Sequence, residues 1–409
     1  MRGRRSLGAV YTPDELVRFM LSLVRRPVTP DWRVLEPACA SAPFLRAFAE
    51  RYGPVAELVG VELDPEGARG FAVPGARLVH ADFLLWEPAE RFDLILGNPP
   101  YGIIGVPGHY AMHALREAKR AYRAKFQTWY GRYNVYGAFI EHAVNLLKPE
   151  GELVYVVPAS WMILEEFKRL REFLAAHGTL EVHYLGRAFP GVRVTAVVLH
   201  FTKARPGELR LWDGGRLWLE RRDYRGEWIR FETPETRAFE AANPVPLAAV
   251  FEVRFAARSP EFRDRPFVHP DPGPGRLPVL TGRNLKRSWI DYETNHSGLW
   301  VERERVGELK PFYRVPRVVV GHTKTRGATI VAAVDARGYP WREELHLVPK
   351  HPVDLEAVAA HLNSPEMQRY VATLYRDLTK HLNRNQLCRL PLPERFAVPA
   401  LLAPVGTGA

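Results

Sequence analysis

The residues best suited to chemistry are Asn98-Pro99-Pro100-Tyr101, which follow the apolar run FDLILG at positions 92–97. The Asn98 side-chain oxygen and the Pro99 carbonyl are neighbouring hydrogen-bond acceptors, and the prolines stiffen the turn that carries them. Together they can accept both hydrogens of an exocyclic amine such as adenine N6, whose lone pair is otherwise delocalised into the ring. Tyr101 adds a flat face on which a heteroaromatic ring can stack. The motif therefore predicts methylation of such an amine.

A plainer interpretation of the motif is a rigid turn after a strand, because Asn-Pro and Pro-Pro are common in loops. The surrounding pattern favours the chemical interpretation, because strands and helices alternate through the first half of the chain. The expected strands are 33–36, 57–62, 77–80, the run ending at 97, 152–157 and 196–201, and the expected helices are 44–51 and 139–147. This alternation predicts an α/β fold with a mostly parallel sheet, in which ligands bind at the carboxyl ends of the strands. Asn98 lies at such an end, and we expect 196–201 to close the sheet edge.

Other strand ends carry residues typical of a nucleoside cofactor site. The turn at 37–43 leads from a strand into a helix, so its backbone N–H groups can approach a ligand closely. Glu62 ends the next strand, where a carboxylate can bind ribose hydroxyls. Asp82 and Phe83 follow the third strand and can contact an adenine amine and ring. Each signal is weak singly, since such residues are more often loop or core residues, but their order indicates a nucleoside cofactor.

Composition favours a polyanionic partner. The chain has 409 residues, with 57 Lys and Arg against 46 Asp and Glu, a net charge of +11. That length suits two domains, and the positive charge favours nucleic acid over an acidic protein. Cys39 and Cys388 are too few and too distant for a disulfide framework or a zinc site, so we expect no metal. With no apolar run near ~20 residues, we expect no membrane contact and a cytoplasmic protein.

The alternation of strands and helices ends after Phe231. The polar stretch at 232–246, which contains three prolines, is interpreted as the linker between domains. We accordingly expect a catalytic domain at 1–237 and a DNA-binding domain at 238–409. The proline- and glycine-rich stretch 270–275 is interpreted as a rigid loop inside the second domain. The second domain carries basic and aromatic residues that can hold a duplex: Arg254, Arg258, Arg283, Lys286, Lys324, Arg326, Arg376, Lys380, Arg384, Trp289, Trp300 and Trp341. His322, His346 and His381 lack metal-ligand spacing and are interpreted as structural or phosphate-contacting.

Long runs in both halves resemble the gamma-class DNA adenine-N6 methyltransferases, and closely the TaqI type. These runs are RVLEPACA (33–40), ADFLLWEP (81–88), FDLILGNPPYG (92–102), RFAARSPEF (254–262) and LTGRNLK (280–286). The resemblance implies a class I (Rossmann-like) S-adenosylmethionine-dependent methyltransferase domain, with a mixed, mostly parallel sheet, followed by a C-terminal α+β DNA-recognition domain.

The resemblance also assigns roles to individual residues. It implies that Thr12, Glu36 and Ala38 bind the methionine part of S-adenosylmethionine, Glu62 its ribose, and Asp82 with Phe83 its adenine. Leu63, Pro100 and Phe139 would complete the apolar walls of the cofactor site. For the target, Asn98 and the Pro99 carbonyl would accept from N6, while Tyr101 and Phe189 would stack on the base and Val10 would line its pocket.

The implied reaction is methyl transfer to N6 of an adenine rotated out of double-stranded DNA within a short site, since a stacked base cannot reach such a pocket. Similar relatives modify TCGA as companions of a restriction endonuclease. We expect a direct in-line transfer with no metal, and a monomer suffices because each strand of a palindrome can be modified in turn.

The sequence departs from the family pattern at three places. Ala40 and Ala42 stand where many relatives have glycine, so alanine in a left-handed conformation would affect cofactor affinity. Val192, followed by Arg193, replaces a lysine, and Lys380 replaces a proline. The last change leaves the recognised sequence open.

Two other functions remain open at this level. Enzymes that methylate ribosomal RNA or a protein glutamine also use Asn-Pro-Pro-Tyr, although the large arginine-rich second half argues against them. A non-catalytic DNA-binding module is the second alternative, which the intact motif at Asn98 disfavours.

Overall fold

The chain forms two compact units, residues 1–230 and 231–409. The structure, a computed structural model, describes residues 12–105, 115–189, 194–321, 330–379 and 381–397. The expected domain boundary after residue 237 lies a few residues beyond this division.

The first unit is built on a nine-stranded sheet covered by helices. Its strands are β1 (Arg33–Pro37), β2 (Glu57–Glu62), β3 (Ala76–His80), β4 (Phe92–Gly97), β5 (Leu147–Pro158), β6 (Thr179–Gly186), β7 (Ala196–Thr202), β8 (Glu208–Asp213) and β9 (Arg216–Arg221). Its helices are α1 (Asp14–Ser22), α2 (Pro43–Tyr52), α3 (Lys119–Lys125), α4 (Tyr136–Leu146) and α5 (Lys168–His177). Single 3₁₀ turns occupy Gly67–Gly70, Ala159–Met162 and Glu165–Phe167.

The strand order is β3-β2-β1-β4-β5-β7-β6-β8-β9. The first five strands pair in parallel, β7 runs antiparallel to β5 and β6, and β6 pairs in parallel with β8. The predicted mixed, mostly parallel sheet is confirmed. The expectation that 196–201 closes the sheet edge is wrong, because β7 is interior. Strands β6, β8 and β9, which the sequence analysis did not predict, extend the sheet beyond it.

Apolar periodicity explains how α1 covers one face of this sheet. Leu16, Val17, Met20 and Leu21 are buried, so one stripe of the helix faces inward. They share a core with Phe44, Leu45 and Phe48 of α2 and with alternate residues of the central strands. Helices α1 and α2 therefore cover an apolar face of the sheet, and polar residues lie at the carboxyl ends of β1, β2 and β4.

The second unit combines short antiparallel sheets with helices, so the predicted α+β class is confirmed. Its strands are β10 (Val245–Pro246), β11 (Phe251–Phe255), β12 (Val268–His269), β13 (Arg276–Pro278), β14 (Leu285–Lys286), β15 (Trp289–Ile290), β16 (Trp300–Glu302), β17 (Arg317–Val320), β18 (Ala332–Asp335), β19 (Leu345–Pro349) and β20 (Pro391–Leu392). Its helices are α6 (Pro234–Ala242), α7 (Leu247–Val250), α8 (Val306–Leu309), α9 (Leu355–Asn363), α10 (Pro365–Tyr375) and α11 (Arg384–Cys388). The 3₁₀ turns are Ser259–Phe262, Arg303–Arg305, Pro311–Arg314 and Glu394–Phe396.

The core of the second unit contains a buried ion pair. Arg317 Nη2 donates to Asp335 Oδ2 at 2.8 Å, and both side chains are fully buried. Arg317 Nε also donates to His346 Nδ1 at 2.9 Å, and Trp341 Nε1 donates to Asp335 Oδ2 at 2.9 Å. Because these charges are paired and hydrogen-bonded, removing one partner would leave the other uncompensated.

The stretch 232–246, interpreted from sequence as a passage between domains, contains helix α6 and lies in the second unit. Thr233 begins this helix with a reciprocal cap: its hydroxyl accepts from the Thr236 N–H at 3.2 Å, and the Thr236 hydroxyl accepts from the Thr233 N–H at 2.8 Å. Thr233 and Pro234 therefore begin a helix and do not mark a linker between domains. The 270–275 stretch lies between β12 and β13, as predicted for a loop inside the second unit. Every helix in the described ranges is too short or too polar to cross a lipid bilayer.

Candidate active site

The carboxyl ends of β1, β2 and β4 surround a cavity of about 300 Å³ in the first unit. This volume is at the lower end of the range for small-molecule and cofactor sites, about 300–1,000 Å³. Twelve of the predicted site residues line it: Thr12, Glu36, Ala38, Glu62, Leu63, Asp82, Phe83, Asn98, Pro99, Pro100, Tyr101 and Phe139. The sheet therefore brings together residues that lie up to 127 positions apart in the chain.

Glu36 is held at the bottom of this cavity by helix α2. Its Oε2 accepts from the Leu45 N–H at 2.8 Å, an amide in the first turn of the helix. Ala42 occupies the N-cap position and has no side-chain acceptor, so Glu36 satisfies an amide that a capping residue would otherwise bond. Burial raises the pKa of Glu36 to about 8, although the amides of Leu45 and Phe44 and the charge of Arg46 act in the opposite direction.

The loop between β1 and α2 has an unusual backbone. Ala38, Ala40 and Ala42 have φ of 50°, 47° and 56°, a left-handed conformation that alanine adopts at a cost of about 1–2 kcal/mol per residue. Ala40 and Ala42, which stand where many relatives have glycine, therefore do adopt a backbone conformation that favours glycine. The loop also buries the Cys39 side chain, and burial raises the pKa of its thiol, which makes it a poor nucleophile.

Glu62 connects the first two loops of the cavity. Its Oε2 accepts from the Ala40 N–H at 2.9 Å and its Oε1 accepts from the Asp64 N–H at 2.9 Å. Both carboxylate oxygens are thus held by backbone groups, which fixes the orientation of the side chain. Leu63, which follows it, is exposed and lines the mouth of the cavity.

Asp82 and Phe83 form the next wall. Asp82 Oδ1 accepts from the Leu84 N–H at 3.0 Å, and its Oδ2 accepts from the Tyr122 hydroxyl at 2.5 Å. Phe83 packs against Phe139, with ring centroids 5.1 Å apart. Tyr122, on α3, lines the cavity but was missed by sequence reasoning, because nothing in its local pattern separates it from a core tyrosine.

The motif at Asn98 lies at the other end of the cavity. Asn98 Nδ2 donates to Thr12 Oγ1 at 3.1 Å. The Tyr101 hydroxyl lies 2.6 Å from Asn98 Oδ1 and 2.8 Å from the Val156 carbonyl oxygen, and its single proton can serve one of these acceptors at a time. The bond from Nδ2 to Thr12 fixes the amide so that Oδ1 faces the Tyr101 hydroxyl, and Oδ1 is the atom that the sequence predicts as an amine acceptor.

The Asn98 turn is anchored on both sides. It directly follows the buried strand β4, and the Gly102 N–H just beyond it donates to Asn134 Oδ1 at 2.8 Å. The Tyr101 ring is half-buried and packs edge-on against Tyr136 at 5.9 Å. The turn is therefore fixed in place relative to the sheet, which is what two positioned acceptors require.

Phe189, predicted to stack on the target base, does not line the cavity. It is buried in the hydrophobic core of the first unit. Its stacking role stays a prediction. Val10, Val192 and Arg193, which the sequence analysis also named, lie outside the described residues.

The basic residues, aromatic residues and histidines that the sequence analysis named in the second unit differ in exposure. Arg254, Arg258, Arg283, Lys286, Arg384 and Trp289 are exposed. The expectation that Trp341 helps to hold a duplex is wrong, because Trp341 is fully buried and its indole N–H donates to Asp335. His346 is also buried in the core, which agrees with a structural role. Trp300 and His381 are half-buried, and Arg376 stacks over the Phe231 ring at 3.8 Å. Lys324, Arg326, Lys380 and His322 lie outside the described residues.

Comparison with known families agrees with both units. Residues 75–187 match the Eco57I restriction-modification methylase family, and residues 277–392 match the TaqI-like C-terminal specificity domain. The cryo-EM structure of a DrdV–DNA complex is similar in fold, with a TM-score of 0.50 and 14% identity over 83% of this chain and 49% of that chain. The sheet, the cavity at its strand ends and the second unit define a class I methyltransferase carrying a specificity domain.

Individual relatives narrow this class. The chain is 54% identical over 397 residues to the type II methyltransferase M.TthHB8I of Thermus thermophilus, covering 95% of this chain and 91% of that protein. It is 30% identical over 159 residues to the modification methylase CviBIII of Paramecium bursaria Chlorella virus NC1A, covering 37% and 38%. The chain belongs to the type II DNA methyltransferases of restriction-modification systems.

Proposed function

We propose that this DNA methyltransferase transfers a methyl group from S-adenosylmethionine to N6 of an adenine rotated out of the duplex. The observation that carries the proposal is that Asn98 and Pro99, which supply two acceptors, line the same cavity as Glu36, Glu62 and Asp82. Three carboxylates at successive strand ends suit a cationic nucleoside, and a pair of acceptors beside them suits a neutral amine.

At the cofactor end, Glu36 with Thr12 and Ala38 binds the methionine part, where the Glu36 carboxylate pairs with the ammonium group. Glu62 accepts from the ribose hydroxyls, and its two backbone hydrogen bonds keep it oriented before the cofactor arrives. Asp82 and Phe83 bind the adenine, with Leu63, Pro100 and Phe139 as apolar walls. These residues would hold the cofactor, and its sulfonium would supply the methyl group.

At the target end, the Asn98 oxygen and the Pro99 carbonyl each accept one hydrogen of N6. Holding both hydrogens out of the ring plane frees the nitrogen lone pair for in-line attack on the methyl carbon. The nitrogen–carbon bond forms as the carbon–sulfur bond breaks, and the extra proton leaves from N6. The chain supplies acceptors for this step, and the buried Cys39 has no part in it.

The Tyr101 hydroxyl occupies one of the two lone pairs of Asn98 Oδ1, and its departure frees that lone pair for the amine. The Val156 carbonyl oxygen, 2.8 Å from the same hydroxyl, offers a second acceptor, so the exchange leaves no hydroxyl unsatisfied. The Tyr101 ring then stacks on the extruded base, and stacking by Phe189 as well would require its buried ring to leave the core. Stacking of this kind contributes about 1–3 kcal/mol per base and offsets the few kcal/mol needed to extrude a nucleotide.

The second unit holds the duplex. Its exposed arginines and lysines provide phosphate contacts that set position, and a smaller number of side chains reading base edges provide specificity. We propose TCGA as the recognised site because the sequence resembles the TaqI type. We further propose that the enzyme acts as a cytoplasmic monomer beside a restriction endonuclease of the same specificity.

The proposal is tested with tritiated S-adenosylmethionine and four substrates: a duplex containing TCGA, the same duplex with N6-methyladenine on both strands of that site, ribosomal RNA and a glutamine-bearing protein substrate. Label should enter the first duplex alone, and digestion should release it as N6-methyladenine. Equal labelling of the premethylated duplex would refute the target atom. Label in RNA or protein instead of DNA would refute the substrate.

The recognised site is tested separately by methylation-sensitive sequencing of DNA from cells that express the protein, with cells expressing Asn98→Ala as the control. Modified adenines should fall in TCGA and be absent from the control. A different shared sequence around the modified adenines would leave the adenine chemistry intact and overturn the site.

A further inference from the structure

A cluster of possible metal ligands lies on one face of the sheet in the first unit. Glu181 and His183 stand two residues apart on β6, so their side chains point to the same face. His200, on β7, is the cross-strand partner of Glu181. One ligand atom from each of the three side chains lies within 4.8 Å of the other two.

Two ring nitrogens in this cluster have no hydrogen-bond partner among the described residues. They are His183 Nε2 and His200 Nδ1, and both atoms are buried. The His200 side chain is only 1% exposed. Because buried polar atoms in folded proteins are nearly always paired, each of these nitrogens needs an explanation.

The hydrogen bond on the other side of His200 fixes its orientation. Its Nε2 lies 2.7 Å from Glu152 Oε2, and Glu152 is held in turn by the backbone N–H groups of Arg25 and Arg26. A carboxylate that accepts from one imidazole nitrogen leaves the other nitrogen with its lone pair free for a metal, an arrangement that metal sites use repeatedly. His183 is oriented by packing, since its ring stacks on Trp212 at 5.9 Å.

A cation can bind Glu181 if the Arg25 side chain, which now pairs with it, moves away. Glu181 Oε2 accepts from Arg25 Nη2 at 2.6 Å and from Trp212 Nε1 at 3.0 Å. The Arg25 side chain is 55% exposed, so it can turn to solvent at little cost. Arg210 approaches Glu181 Oε1 only to 3.7 Å and also pairs with two other carboxylates, Glu208 and Glu220.

We propose that Glu181, His183 and His200 form a binding site for a divalent transition-metal ion, with Zn²⁺ as the best match. Two imidazole nitrogens and one carboxylate oxygen are ligands that zinc prefers, and a water molecule completes a tetrahedral set. Zinc–ligand bonds of about 2.0–2.2 Å require the three side chains to move closer together than they stand here. The site clips β6 to β7 and stabilises this part of the sheet.

This proposal departs from the sequence-based expectation of a metal-free protein. That expectation depended on cysteine spacing and on three histidines of the second domain. The ligands found here are brought together by antiparallel pairing of β6 and β7, which sequence spacing alone does not reveal. None of the three lines the cavity at Asn98, so the ion takes no part in methyl transfer.

Zinc binding is measured on the full chain, first stripped of metal by a chelator and then titrated with Zn²⁺ in competition with a chromophoric chelator. One ion should bind per chain, and His183→Asn and Glu181→Gln should each weaken binding at least about tenfold, since even loss of a group that only orients a ligand costs about 10–100-fold. His177→Asn is the matched control, because His177 lies on α5 of the same unit, outside the cluster. Its zinc affinity should equal that of the unaltered protein.

Two further readouts keep the test decisive if a variant folds poorly. In the unaltered protein, Co²⁺ should give the visible absorption of a four-coordinate site, and nitrogen-15 resonances of two histidines should shift on Zn²⁺ addition. DNA methylation by both cluster variants should stay at the level of the unaltered enzyme. Failure of the unaltered protein to bind one Zn²⁺, or equal binding by both cluster variants, would overturn the site and leave the proposed methyltransferase activity untouched.

Discussion

The two ends of the cavity hold their polar groups in different ways. At the cofactor end, Glu36 is bonded to a backbone N–H in the first turn of α2, and Glu62 to backbone N–H groups of two loops. At the target end, Asn98 and Tyr101 are bonded to each other, and Asn98 also to Thr12. Backbone partners cannot leave without unfolding a loop, whereas a side-chain partner can rotate away.

This difference matches what each end must do. A cofactor that is bound and released at every turnover benefits from carboxylates already in position, because little conformational freedom is then lost on binding. The target base instead takes the place of an internal side-chain partner, which keeps the acceptor hydrogen-bonded until the base arrives. Before the base binds, Asn98 Oδ1 is therefore hydrogen-bonded to Tyr101. At the cofactor end, Glu62 is already oriented by its backbone hydrogen bonds and need not move when the cofactor binds.

The largest expected effect comes from breaking the target end. Asn98→Ala removes one of the two acceptors for N6, so turnover should fall by at least about 10²-fold, the usual cost of one preorganised hydrogen-bonding group. Single-turnover methylation of a TCGA duplex measures this rate. Cofactor affinity, measured by calorimetry, should stay within about threefold, because the carboxylates at the other end keep their backbone partners.

Glu62→Gln is the matched control for that comparison. It leaves the acceptors of Asn98 and Pro99 in place and should weaken cofactor binding by about tenfold, equivalent to about 1.4 kcal/mol, while turnover at saturating cofactor changes little. An Asn98→Ala enzyme with full turnover would disprove the assignment of the amine acceptor.

Two substitutions of Tyr101 separate its ring from its hydroxyl. Tyr101→Ala removes the stacking face and should weaken binding of a flipped adenine by about tenfold or more. Tyr101→Phe keeps the face and removes only the group that occupies Asn98 Oδ1, so its turnover should stay within a few-fold of the unaltered enzyme. Fluorescence of a duplex with 2-aminopurine at the target position measures base extrusion in both proteins. If the two substitutions had equal effects, the ring would have no separate role in stacking.

The pKa of Glu36 predicts a pH-dependent cofactor affinity. Its folded-state pKa of about 8 lies above the ordinary value of 4.5, so between these values the folded protein holds a proton that the unfolded chain has lost. The free energy of unfolding of the cofactor-free protein therefore falls as pH rises through this range. Pairing with the cofactor ammonium group favours the ionised carboxylate, so binding releases a proton. Cofactor affinity should rise roughly 20-fold from pH 6 to pH 7.5.

Calorimetry in buffers of different protonation enthalpy measures the released proton directly. Glu36→Gln should abolish both the proton release and the pH dependence, because the amide does not titrate in this range. Binding without proton release at pH 7 in the unaltered protein would show that Glu36 is not the partner of the ammonium group.

Much of the cavity could be predicted from the sequence because its residues sit at strand ends. Apolar runs such as 57–62 and 92–97 reveal buried strands, and the residue after each run must then lie at the ligand-binding edge of a parallel sheet. Asn98, Glu62 and Asp82 were found in this way. The same logic failed for β6, whose polar residues Glu181 and His183 interrupt the apolar pattern.

The remaining contacts depend on packing between distant segments. Tyr122 reaches Asp82 because α3 lies beside the segment that follows β3, where Lys125 also donates to the Leu84 carbonyl, and its own sequence surroundings resemble those of any half-buried helix. The sequence predicts Trp341 as a surface aromatic among basic residues, but it is buried in the core, where its indole N–H donates to Asp335. In both cases the partner decides the position, and a single sequence does not name the partner.

The left-handed alanines give the smallest and most local test of the cofactor end. Ala40→Gly should raise the free energy of unfolding by up to about 1 kcal/mol, because relief of the left-handed strain slightly exceeds the added flexibility of the unfolded chain. The Ala40 N–H keeps its bond to Glu62, so cofactor affinity should hold or improve slightly. Urea denaturation measures the stability change. Ala47→Gly, in the right-handed helix α2, is the control and should lose about 1 kcal/mol. A loss of stability in both variants would show that the loop conformation carries no strain that glycine relieves.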